Sequence, residues 1–108
     1  MARQAVSDEA ASQAADLFRM LGDPSRLRLM ILCRHAEPSV GELAQALGLS
    51  ESLVSHHLRL LRAARLVRAR RAGRRVHYTL ADAHVIRVIG DMLDHVAEAN
   101  GVQERAVP

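Results

Sequence analysis

The chain contains no lysine and no tryptophan, and its 108 residues include one tyrosine, one phenylalanine, one cysteine and three prolines. Each scarcity excludes something. A single thiol, Cys33, cannot form a disulfide within the chain and rules out zinc sites built on paired cysteines, which points to a reducing compartment and so to the cytoplasm. With aromatics at 2% against 49% hydrophobic residues, the core has to be aliphatic and alanine-rich, a composition that favours close-packed helices over a sheet sandwich. No apolar run approaches membrane-spanning length, and acids and glutamine interrupt the opening stretch MARQAVSDEAASQAADLF. Neither a signal peptide nor a membrane partner is expected. The length suits one domain over 1–108, with a frayed tail from about 100 to 108.

All positive side-chain charge, histidine apart, is therefore arginine, and it is unevenly spread. Residues 59, 62, 65, 68, 70, 71, 74 and 75 are arginines with no acid among them, whereas the rest of the chain sets seven arginines against twelve acids. The formal net charge of +3 conceals this asymmetry. A basic block on an otherwise acidic molecule is the electrostatic footprint of a polyanion site. Arginine's planar fork pairs bidentately with phosphate and with guanine edges, so the partner expected is nucleic acid.

Apolar spacing predicts four helices before that block ends. The segment from Asp8, DEAASQAADLFRMLG, has apolar residues at 10, 14, 17, 18 and 21 and stops at Gly22. Asp23 is a cap candidate for the next helix, with Pro24 in the first position, where a missing N–H does no harm. That second helix is nearly apolar from Leu27 to Cys33 and is expected to be buried. Ser39 and Glu42 form a capping box ahead of a short third helix ending at Gly48. Ser50 caps a fourth, whose apolar series Leu53, Val54, Leu58 and Leu61 runs to about Ala64.

Two short helices joined through a glycine turn are the helix-turn-helix arrangement. On the fourth helix, Ser52, Ser55, His56 and Arg59 fall at helical offsets on the face opposite the apolar stripe, where small polar groups can approach base edges and arginine can reach phosphate or guanine. The pattern then changes from helical to alternating. Val76, Tyr78 and Leu80 lie on one side and Arg75, His77 and Thr79 on the other, with Ala72-Gly73 expected as the turn of a hairpin ringed by Arg70, Arg71, Arg74 and Arg75. A final helix follows over 83–99. The order ααααββα is a mainly α (α+β) winged helix-turn-helix.

The last helix has an apolar face, Val85, Val88, Ile89, Met92, Leu93 and Val96, which implies a partner helix. It also carries metal-ligand residue types in two pairs, Asp82 with His84 and His95 with Glu98. The two histidines are eleven residues apart, about three turns, so they share a direction but lie roughly 16 Å apart along the axis. No single ion bridges them in one chain. In a homodimer joined antiparallel through these terminal helices, crossing beside Ile89 and Gly90, His84 of one chain comes level with His95 of the other. Each of two equal sites then holds two imidazoles and two carboxylates, a closed four-ligand set suited to zinc, with Co2+ or Ni2+ as other candidates. Asp82 also reads as the helix cap.

From about Ala15 to Glu98 the sequence resembles the ArsR/SmtB family of metal-sensing winged-helix repressors. The residues that carry the resemblance are SVGELAQALGLSESLVSHHLRLLRAARLV, the hairpin RRAGRRVHYTL, and the D-x-H and H-x-x-E pairs of the family's zinc-sensing members. The resemblance implies a homodimer that binds a palindromic operator when metal-free and leaves it when Asp82 and His84 of one subunit, with His95 and Glu98 of the other, take up metal. It assigns Ser55 and His56 to DNA-contacting positions. It also implies coupling from the free nitrogen of His95 to a backbone carbonyl near Arg65. Relatives that sense thiophilic metals use several cysteines, which this chain lacks. The remaining alternative is control by a non-metal signal such as oxidation of Cys33; a metalloenzyme is disfavoured because protein groups fill all four positions.

Overall fold

The structure is a computed structural model and describes residues 5–101; the expected tail from 102 onward lies outside the described residues. The order is α1 (Asp8–Leu21), α2 (Pro24–Leu32), α3 (Val40–Leu47), α4 (Glu51–Ala63), β1 (Val67–Ala72), β2 (Arg75–Leu80) and α5 (Ala83–Ala99). Local chemistry sets the helix starts. Ser7, Asp23, Ser39, Ser50 and Asp82 each accept a hydrogen bond from a backbone N–H three residues on, satisfying a donor the helix leaves free. At α3 the box is complete, the Ser39 N–H donating to the Glu42 carboxylate at 2.8 Å.

Gly48, at φ 68°, turns α3 into α4. At the far end of α4 the left-handed position is held by Arg65, φ 61°, and the Leu66 N–H donates to the Leu61 carbonyl at 2.9 Å. This closure is the Schellman pattern, and it directs Leu66 and Val67 into the core although an arginine occupies a site that favours glycine.

The hairpin pairs Val67 with Leu80 through to Ala72 with Arg75. Its two-residue loop is therefore Gly73-Arg74, one residue later than the expected Ala72-Gly73. Only Gly73 of the pair has positive φ, 65°, which places the glycine first in the loop as a type II′ turn requires. The segment before α3 also adds to the sheet: Ser39 bridges His77, and the Tyr78 N–H donates to the Pro38 carbonyl at 2.9 Å. A residue that precedes proline is pushed toward extended backbone, which prepares Glu37 for this pairing. The clean inside–outside alternation expected of β2 is blurred, because the α2–α3 connection and α5 wall in His77 and Thr79 from the other side.

The core joins Leu29 and Met30 of α2, Leu43 of α3, Val54, Leu58 and Leu61 of α4, Leu80 of β2 and Ile89 of α5. Helix α2 meets it on one side only, so Leu32 is exposed and Arg28 faces water, contrary to the expectation of a wholly buried helix. Helix α1 buries no residue; Leu17 and Phe18 remain open.

The apolar face of α5 splits in two. Val85, Ile89 and Leu93 pack on the chain's own core, while Val88, Met92 and Val96 stay exposed at 37%, 56% and 52%. Ile89 is 2% exposed and the space left by Gly90 faces Arg34, 3.7 Å from an added Cβ. The expected crossing beside Ile89 and Gly90 is thus corrected: both are committed to intrachain packing, because α5 must close the core of its own subunit. Among the described residues no helix is long and apolar enough to cross a membrane.

Candidate nucleic-acid interface and metal half-sites

Helix α4 buries Val54, His57, Leu58 and Leu61. The opposite face carries Ser52, His56 and Arg59, all exposed, and Ser55, half-buried where the helix meets the wing. All four residues singled out from spacing therefore lie off the core face. Arg62 and Tyr78 belong with them. They share with Ser55 and Arg59 an acid-free cleft of about 480 Å³ between α4 and β2. Arg62 repeats the offset of three from Arg59 and was legible in the sequence as part of the basic block. Tyr78 was not, since alternation assigned it to the buried side of the hairpin.

The wing arginines divide. Arg71, Arg74 and Arg75 are exposed and form no ion pair among the described residues. Arg70 is held: its Nε donates to Glu37 Oε1 at 2.7 Å, tying β1 to the segment before α3. His77 reinforces the tie with a 2.6 Å bond to the Glu37 carbonyl, which can only accept, so Nδ1 carries the proton. Arg74 and Arg75 border a cleft with Glu42 and Glu51, and this carboxylate pair moderates the positive field at the base of the tip.

His57 escaped the sequence reading, hidden in the run SHH. It is 8% exposed, and its Nδ1 has no hydrogen-bond partner among the described residues. Burial pushes its pKa below the ordinary 6.5; the Asp23 charge opposes this, and Arg26 and His56 add to it. The unfolded chain therefore binds a proton here at a pH where the folded chain does not. The stability contribution of a neutral His57 is complete above about pH 6.5 and is lost as pH falls toward the lowered folded value. The urea midpoint should drop between pH 7 and pH 5, and His57→Leu should reduce that drop. An equal drop in the variant would reject His57 as the cause.

At the start of α5, Asp82 and His84 are the first ligand-type pair: Nδ1 of His84 lies 3.8 Å from Oδ1 of Asp82, with their side chains 96% (His84) and 56% (Asp82) exposed. The same Asp82 oxygen accepts the Val85 N–H at 3.0 Å, so cap and candidate ligand are one residue. His95 and Glu98, also exposed, stand one turn apart near the other end. Among the described residues no three potential ligands gather within one chain. Cys33 is 1% exposed, and burial raises its thiol pKa to about 12, so it carries little thiolate at neutral pH.

Comparison with known proteins gives this geometry its context. Residues 23–69, from the α2 cap into β1, match the model of bacterial regulatory proteins of the arsR family. The chain is 47% identical over 97 residues to a transcriptional repressor SmtB homolog of Synechocystis, covering 90% of this chain and 74% of that one. It is 39% identical to the transcriptional regulator NmtR of Mycobacterium tuberculosis, over 83% of this chain and 75% of the relative. Among solved structures, a homodimeric winged helix-turn-helix DNA-binding domain of a possible ArsR-family regulator from Mycobacterium bovis superposes with a TM-score of 0.75 at 31% identity, covering 91% of each chain. Helix order, wing and sequence agree: the chain belongs to the arsR family of bacterial regulatory proteins, and is a transcriptional regulator of winged helix-turn-helix fold, not an enzyme.

Proposed function

We propose that this regulator is a zinc-responsive repressor, a homodimer joined through its terminal helices that binds a palindromic operator when metal-free and releases it when metal bridges the two α5 helices. The observation that carries the reading is the placement of two exposed ligand-type pairs toward the two ends of α5, the helix whose Val88, Met92 and Val96 are exposed among the described residues. Exposed Leu17 and Phe18 of α1 extend the area for a partner copy to cover. Val88 and Met92 straddle the midpoint between His84 and His95. An antiparallel crossing on that stripe keeps His84 level with His95 of the other subunit, even with Ile89 and Gly90 turned inward. Asp82, His84, His95 and Glu98 supply two imidazoles and two carboxylates, which fits tetrahedral zinc.

In the metal-free dimer both α4 helices enter successive major grooves about 34 Å apart. Ser52, Ser55, His56 and Arg59 face the bases and backbone, Arg71, Arg74 and Arg75 follow the phosphates, and Arg70 fixes the wing through Glu37. Bridging constrains the angle between the α5 helices and favours a spacing that no longer matches the operator. The free nitrogen of His95 reaching a carbonyl near Arg65 would carry the constraint to the end of α4. Control through Cys33 oxidation has no support from its burial and raised pKa.

The test is titration of Zn2+, Co2+ and Ni2+ into the protein bound to duplex DNA from upstream of its own gene. Zinc is expected to release the DNA at one ion per subunit. Release by none of the three ions would end the proposal, and release by cobalt or nickel alone would replace zinc as the inducer.

A further inference from the structure

An open cleft of about 520 Å³ lies between the α2–α3 connection, the hairpin and the first turn of α5, and its lining includes neither the α5 ligand-type residues nor any residue of α4. Its polar lining is Arg34, His35, Glu37, Arg70, His77 and Thr79. Arg34 is the unusual member. Its Nε is buried without an acceptor, and it takes part in no ion pair among the described residues. A buried cationic N–H without an acceptor is an expensive arrangement that a folded protein rarely leaves unanswered. The guanidinium is also positioned: Nη2 rests against Gly90 of α5, where a Cβ would come within 3.7 Å.

The other groups decide what kind of acceptor suits this donor. Glu37, the acid of the lining, is already neutralised in part by Arg70 at 2.7 Å, so it does not answer the Arg34 charge. His77 donates its Nδ1 proton to the Glu37 carbonyl, which fixes the imidazole ring against the cleft wall. Thr79 adds a hydroxyl. A guanidinium and a hydroxyl in a lining where Arg34 and Arg70 outweigh Glu37 by one charge match a tetrahedral oxyanion better than a cation or an apolar molecule. We infer that this cleft is a binding site for a phosphate group, with Arg34 as its fixed donor. The group belongs either to a small phosphorylated or inorganic anion or to the DNA backbone beside the wing. Because the cleft walls come from the hairpin, the α2–α3 connection and α5, its occupant ties the wing to the helix that bears the candidate metal ligands.

The experiment is an NMR titration of the full chain with inorganic phosphate at constant ionic strength, chloride serving as the control. It follows the Arg34 Nε–H, the Thr79 amide and the His77 ring. Saturable shifts at these positions are expected with phosphate and not with chloride. In Arg34→Gln, half-saturation should need about tenfold more phosphate, the worth of one charge-assisted hydrogen bond. If that variant fails to fold, Arg34→Lys, which keeps the charge but loses the fork, should still weaken binding several-fold. Linear shifts equal to those with chloride, or an unchanged midpoint in either folded variant, would overturn the assignment and leave the cleft to water. Repeating the titration on the DNA-bound protein separates the two sources. Persistent phosphate shifts identify a free anion, and shifts that vanish because duplex DNA already produces them identify the backbone.

Discussion

His84→Ala should leave the DNA affinity of the metal-free protein within about twofold while removing metal-driven release, an allosteric coupling expected at the usual size of about 5- to 150-fold. The separation of effects follows from exposure. With 96% of its side chain in water, His84 supports no core, and surface truncation of this sort changes stability by about 0.5 kcal/mol or less. It does, on the proposed reading, take one of four ligands from each of two symmetric sites. Fluorescence anisotropy of a labelled operator, with and without zinc, measures both quantities on one sample. Parent-like release by the variant would remove His84 from the sensing site. Asp82 needs a different substitution, because its carboxylate also caps α5 at 3.0 Å from the Val85 N–H. Asp82→Ala would mix ligand loss with about 1 kcal/mol of lost capping, whereas Asp82→Asn keeps an acceptor at the cap and removes the charge.

Leu61→Ala is expected to lower stability by about 2–5 kcal/mol, a large share of the roughly 5–15 kcal/mol typical of a small domain. Leu61 is 0% exposed, and its carbonyl accepts the Leu66 N–H that closes the end of α4. Truncation therefore opens a cavity in the core at the end of α4, next to the root of the wing. Its neighbour Leu60, 37% exposed, provides the contrast: Leu60→Ala should cost about 1 kcal/mol or less. Urea denaturation at several protein concentrations checks both, the concentration series separating loss of the fold from loss of the dimer. Equal midpoints for the two variants would mean that the core does not run through Leu61.

The helix starts, the capping box at Ser39 and Glu42, and the glycine-centred hairpin were legible because each rests on hydrogen bonds or backbone preferences acting over three or four residues. The polar face of α4 was legible for a similar reason, since helical offsets sort Ser52, His56 and Arg59 away from Val54, Leu58 and Leu61 without reference to the rest of the chain. What failed depended on distant neighbours. The hairpin turn slipped by one residue because alternation alone does not say which of two adjacent positions needs positive φ. The strand-like pairing of Pro38 and Ser39 with β2 joins segments about forty residues apart, and no local period announces it.

Sequence by itself determined that this is a largely helical, arginine-rich winged helix-turn-helix with ligand-type residues at both ends of its last helix, because periodicity, capping and charge clustering are properties of near neighbours. Tertiary structure alone decided how α5 divides its apolar residues. Val85, Ile89 and Leu93 close the subunit's own core, and Val88, Met92 and Val96 are left exposed. The two sets are adjacent stripes of one amphipathic face, equally apolar on paper. Only the position of α2, with Arg34 against Gly90, and of the core beneath Ile89 determines which stripe is turned inward.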